Sequence, residues 1–116
     1  MGLPFKLWRI QDEHGRGPFK PGFSHVWADE NFAPGIVPLP TLREDFGPAI
    51  YQQLVGPYHY GTAVRDKSMI GKWFSCTEQA KLFALGFSLV SLRPDVIIAE
   101  SEHQVLFGRI KPFTTI

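Results

Sequence analysis

The chain has 116 residues, 44% hydrophobic and 14% aromatic, with ten Phe and three Trp, a composition suited to one domain, residues 1–116, with one core filled by large side chains. Twelve basic against eleven acidic residues leave a net charge of +1, which excludes a global field for nucleic acid or an anionic membrane, and no Lys/Arg run supplies a local one. The single cysteine, Cys76, excludes an internal disulfide and a cysteine-rich zinc site, fitting a cytoplasmic setting, and the opening "MGLPFKLWRI" holds no apolar run long enough for a signal peptide or membrane span.

The first predicted element is "FKLWRIQ", residues 5–11. Phe5, Leu7 and Arg9 fall on one face, and Lys6, Trp8 and Ile10 on the other. Large groups on both sides predict a strand inside the sheet, covered on both faces. "DEHGRGPFKPG" follows, and its three Gly and two Pro break regular structure. Eight of the eleven Gly and eight of the ten Pro lie at or before Gly61, so the N-terminal half is predicted to be rich in loops. "TLREDFGPAIYQQLVG" opens on Thr41 and Glu44 at capping-box spacing. Pro48 suits a first helical turn and Gly56 a helix end, so one or two short helical turns are expected.

"SCTEQAKLFALG" predicts an amphipathic helix over about residues 75–85. Ser75 and Glu78 form a second capping box, and Gly86 supplies the stop. Cys76, Ala80, Phe83 and Ala84 recur at helical spacing and define the expected buried face, Cys76 included. "FSLVSL", "VIIAE" and "QVLFGRI" read as three strands, with "RPD" as the turn between the first two. The expected fold is α+β with a mainly antiparallel sheet.

Candidate chemistry is sparse. His14, His25, His59 and His103 show no metal-ligand spacing, and there is no second cysteine, so no metal site is expected. Cys76 sits at the first position of the predicted helix, where a thiol's pKa falls, but burial is the expected fate. No G-x-S-x-G elbow occurs. "HGRGPFKPG" lacks the strand–loop–helix context of a phosphate loop; its glycines suit positive-φ turns, although Arg16 and Lys20 would be within reach of a phosphate there.

"LWRIQDEHGRGPF", with "WFSCTEQAKLF", "LGFSLVSL" and "VIIAESEHQVLF", resembles a group of small phage and prophage proteins that open on a YRI or YRV strand followed by GxGP(F/Y). More distantly, the order of these blocks is similar to the minimal ADP-ribosyltransferase pattern. That resemblance implies that Arg9 grips the phosphates of NAD, that Ser75 and Thr77 form the Ser/Thr element, and that "EHQVLF" is the carboxylate strand. The sequence departs from the pattern at Gln104, where the second carboxylate of E-x-E is expected. A neutral amide neither stabilises an oxocarbenium ion nor acts as a base. Moving the register by two residues restores Glu100-x-Glu102 and makes Glu102 the candidate carboxylate.

Two functions are carried forward. The first is a binding protein of phage or mobile-element type, without a cofactor, acting on a host protein or ribonucleoprotein complex. A host-defence inhibitor of anti-CRISPR type is its sharpest form. Trp8, Trp27, Phe32, Tyr58 and Tyr60 would then be aromatic anchors. The second is an active NAD-dependent mono-ADP-ribosyltransferase using Arg9, Ser75 and Glu102. An RNA-binding module is disfavoured by the near-zero charge. Each candidate also has a structural role open to it: Ser75 as a helix cap, Arg9 as a cross-sheet ion-pair partner, and Glu100–Glu102 as an exposed hairpin turn.

Overall fold

The computed structural model of the protein describes residues 2–18 and 41–115. Among the described residues there are five strands: β1 (Leu7–Gln11), β2 (His59–Ala63), β3 (Ser88–Leu92), β4 (Val96–Glu100) and β5 (Val105–Arg109). The helices are α1 (Leu42–Phe46), α2 (Ile70–Trp73) and α3 (Cys76–Ala84), with 3₁₀ turns at Pro48–Gln53 and Lys67–Met69. The expected α+β architecture with antiparallel pairing is what the chain adopts. β1 pairs with β3, and β2, β5 and β4 form a second sheet in that order.

Among the described residues one bridge links the two sheets. Trp8 and Val64 exchange backbone hydrogen bonds of 2.8 and 2.9 Å. Beyond it β1 and β2 share no further ladder pair, so a gap opens between the sheets. β1 is covered on both faces, as its alternation predicts, but it does not lie inside a sheet: its ladder runs along β3 alone, with the Trp8–Val64 bridge on its other edge. Ile10 joins Val64, Ile70, Phe74, Leu82 and Phe87 in one core cluster. Leu7 joins Ala63, Leu92, Val105, Phe107 and Phe113 in the other. Arg9 and Gln11 share the Leu7 side of the strand and are also buried.

Both capping boxes form. The Glu44 amide donates to Thr41 Oγ1 and the Thr41 amide to Glu44 Oε1, both at 3.2 Å. The Glu78 amide donates to Ser75 Oγ at 3.1 Å and the Ser75 amide to Glu78 Oε1 at 2.8 Å. α3 ends in a Schellman motif. With Gly86 at φ +95°, its amide donates to the Phe83 carbonyl at 3.2 Å and the Phe87 amide to the Leu82 carbonyl at 3.0 Å.

The buried face of α3 corrects the sequence expectation. Leu82 is 0% exposed and packs with Phe87, whereas Cys76, Ala80, Phe83 and Ala84 are exposed. The reason is area. Cys76, Ala80 and Ala84 have little surface to bury, and the Schellman turn brings Leu82 onto Phe87, which leaves the larger Phe83 turned outward. Gly56 is likewise not a helix end. The 3₁₀ turn closes at Gln53, and Gly56, at φ +94°, lies in the link to β2. Among the described residues no helix is long and apolar enough to cross a membrane.

Candidate functional site

The gap between the sheets holds a cavity of about 330 Å³. β1 lends it Trp8, Arg9 and Ile10, and β2 and its extension lend Thr62, Ala63 and Val64. α2 and the residue after it add Ile70, Trp73 and Phe74; Thr41 and Leu42 come from the start of α1, and Gln104 from the turn before β5. A second cavity of about 260 Å³ shares Arg9, Gly17, Leu42 and Thr62 with the first. Arg9 therefore stands where the two meet.

Arg9 is 8% exposed, and its guanidinium carbon lies 4.6 Å from the centre of the Phe113 ring. The side chain reaches across β2 because residue 61 is a glycine. A methyl group there would fall on Arg9 Nη1 and lie 2.6 Å from Phe113 Cε2. Nη2 donates a long hydrogen bond, 3.4 Å, to the Gly15 carbonyl. Nε and Nη1 have no hydrogen-bond partner among the described residues. Residue 90, opposite Arg9 in the sheet, is a valine, so no acidic partner meets it across the ladder. Burial pushes the Arg9 pKa down to about 10, and the charge of Asp12 opposes that only in part. The Asp12 carboxylate accepts the backbone amides of His14 and Arg16, each at 2.9 Å.

The tail after β5 builds the floor under Arg9. Gln11 Nε2 donates to the Phe113 carbonyl at 2.9 Å and Arg109 Nη2 to the Thr115 carbonyl at 2.6 Å. One buried side chain from each sheet thus grips the tail backbone and fixes the Phe113 ring beside Phe107, at a centroid distance of 5.2 Å.

Gln104 faces the same cavity as Arg9, and its neighbours explain why an amide stands there. Its Nε2 donates to Asp45 Oδ2 at 3.0 Å, and Ser101 Oγ donates to the same oxygen at 2.5 Å. Ser101 Oγ in turn accepts the amides of His103 and Gln104, at 3.0 and 3.3 Å. Trp73 Nε1 donates to the His103 carbonyl at 2.9 Å. The turn is thus tied to α1 and α2. A glutamate at residue 104 would set a second carboxylate against Asp45.

The other candidates lie elsewhere. The Glu102 side chain is 85% exposed, 3.4 Å from His103 Nε2, and does not line either cavity. Glu100, at the end of β4, takes a two-pronged bond from Arg65 at 2.5 and 2.7 Å, which holds its carboxyl below the usual carboxylate range. Ser75 caps α3, and Thr77 is exposed on it. Trp8 is half-buried in the cavity wall; Tyr60 lines the second cavity, donates to the Val55 carbonyl and lies 6.0 Å from the Tyr58 ring. Trp27, Phe32 and His25 fall outside the described residues. Among the described residues no group of three or more His, Cys, Asp or Glu is placed to hold a metal ion. No family model, curated protein or solved structure matches the chain.

Proposed function

We propose that the protein acts by binding rather than by group transfer: a non-catalytic binding protein of phage or mobile-element type, directed at a host protein or ribonucleoprotein complex, on a scaffold of degenerate ADP-ribosyltransferase type. A host-defence inhibitor of anti-CRISPR type is its sharpest form. One observation supports this reading above the rest. Arg9 and Gln104 line one cavity, and no described carboxylate lines it with them.

A transferase of that type needs both a cation to hold the phosphates and a carboxylate beside the breaking glycosidic bond. Here the cation is in place and the neighbouring position carries an amide that already donates to Asp45. Glu102 points to solvent. Such a cavity holds an anion without a group to drive its cleavage.

The test is incubation of wild type, Glu102→Gln and Arg9→Ala with labelled NAD and host lysate. The binding reading expects no label on any protein and no release of nicotinamide by any of the three. Transfer by wild type that is lost in Glu102→Gln would establish the transferase instead.

A further inference from the structure

We propose that the cavity beside Arg9 takes a small aromatic acid, whose anionic group meets the guanidinium while its ring lies among Trp8, Trp73 and Phe74. This rests on the binding reading above and adds the chemical class of the ligand. Neither a cofactor nor a protein partner is needed for it.

Three features of the cavity carry the inference. First, Arg9 is a buried cation whose charge is not neutralised by any ion pair among the described residues, and whose Nε and Nη1 are without hydrogen-bond partners there. Buried arginine is ordinarily paired, because its desolvation is otherwise uncompensated. The cation is also held in place, stacked on Phe113 and confined by Gly61. Nε and Nη1 are closed off from solvent, so the donor that borders the cavity is Nη2, beside Gly17, and a carboxylate or a phosphate monoester is the acceptor that suits it.

Second, most of the rest of the wall is apolar, with three aromatic residues in it beside the polar Thr41, Thr62 and Gln104. Trp8, Trp73 and Phe74 line it alongside Ile10, Val64 and Ile70. Aromatic faces and edges suit a ring system in offset or tilted packing. Third, a volume of about 330 Å³ is at the small end for ligand cavities, room for one bicyclic ring with its acid group rather than for a dinucleotide. Among the described residues Arg9 is the only charged side chain in that wall, and it is the cation they offer to an anion.

The probes are naphthoate, naphthyl phosphate, the neutral isostere naphthylmethanol, and NAD, each titrated by calorimetry into wild type and Arg9→Met, with thermal melting alongside. The two anions should bind about tenfold or more tightly than naphthylmethanol and raise the melting temperature, and Arg9→Met should erase that preference. If Arg9→Met fails to fold, the gap between anion and isostere on wild type decides the matter alone. Equal binding of the isostere, or no binding of either anion, overturns the proposal. So does NAD binding more tightly than the naphthyl anions without being consumed, which would leave the binding reading intact. Consumption of NAD would instead overturn that reading.

Discussion

Replacing Gly61 by alanine probes the seat of Arg9 with a single methyl group. Gly61 lies in β2 opposite Phe107, and its φ is not positive, so the backbone itself accepts alanine. The obstacle is space. The new Cβ would fall on Arg9 Nη1 and lie 2.6 and 2.9 Å from Phe113 Cε2 and Cζ, closer than real Cβ atoms come. Relief requires the guanidinium to leave the Phe113 ring or the tail to lift from β5. Overpacking of this kind costs about 1–3 kcal/mol. The smaller entropy of the unfolded alanine chain returns about 0.4–1 kcal/mol, leaving a net loss of roughly 1–2 kcal/mol. For a domain near 100 residues that is a fall of about 4–8 °C in melting temperature, read by calorimetry or circular dichroism. Two controls isolate the cause. A methyl group on Gly71 in α2 would meet nothing within 4 Å, so Gly71→Ala should be neutral or stabilising. Phe113→Leu should reduce the cost of Gly61→Ala when the two are combined. A Gly61→Ala protein as stable as wild type would refute this account of how Arg9 is held.

Three further outcomes are expected. Leu82→Ala should cost about 2–5 kcal/mol in urea unfolding, whereas Cys76→Ala should be near neutral and the native Cys76 thiol should react fully with a thiol reagent, since it is exposed. Gln104→Glu should destabilise the protein by about 1–3 kcal/mol without creating transferase activity, because it removes a donor from Asp45 and adds a like charge; Asp45→Asn in the same chain should restore stability. Glu100 has a folded pKa lowered by Arg65, so its contribution is present above the unfolded carboxylate value and is lost as pH falls through the folded one; wild type and Glu100→Gln should therefore converge in melting temperature at low pH and separate toward neutrality.

Much of the fold is legible in the sequence because its signals are local. The capping boxes at Thr41–Glu44 and Ser75–Glu78 are contained in four-residue spans, and both form. β1, β3, β4 and β5 carry runs of large or branched residues and appear within two residues of the expected limits. β2 escapes sequence reading because Gly61 sits at its centre, where strand patterns rarely place glycine, and the reason for that glycine is Arg9, distant in sequence. The rotation of α3 escapes it because periodicity alone weighs Cys76 and Ala80 like Leu82, although the area each can bury differs.

The site is legible only in part. Arg9 and Gln104 stand out by resemblance, and they do share a cavity. Glu102 cannot be placed without knowing that β4 ends at Glu100 and that Ser101 turns back onto Asp45. Phe113 and Asp45, which set Arg9 and Gln104, carry no motif. They reach the site through contacts spanning most of the chain, such as the Gln11–Phe113 bond with a separation of 102 residues.

The central claim is that Arg9 is a buried cation awaiting an anion from outside the chain. Heteronuclear NMR of the Arg9 side-chain Nε–H, assigned by its loss in Arg9→Met, tests this most directly. The account predicts a signal protected from solvent exchange in the free protein, which shifts when naphthoate is added and not when naphthylmethanol is added. An Nε–H that exchanges like that of an exposed arginine, and ignores both compounds, would contradict it.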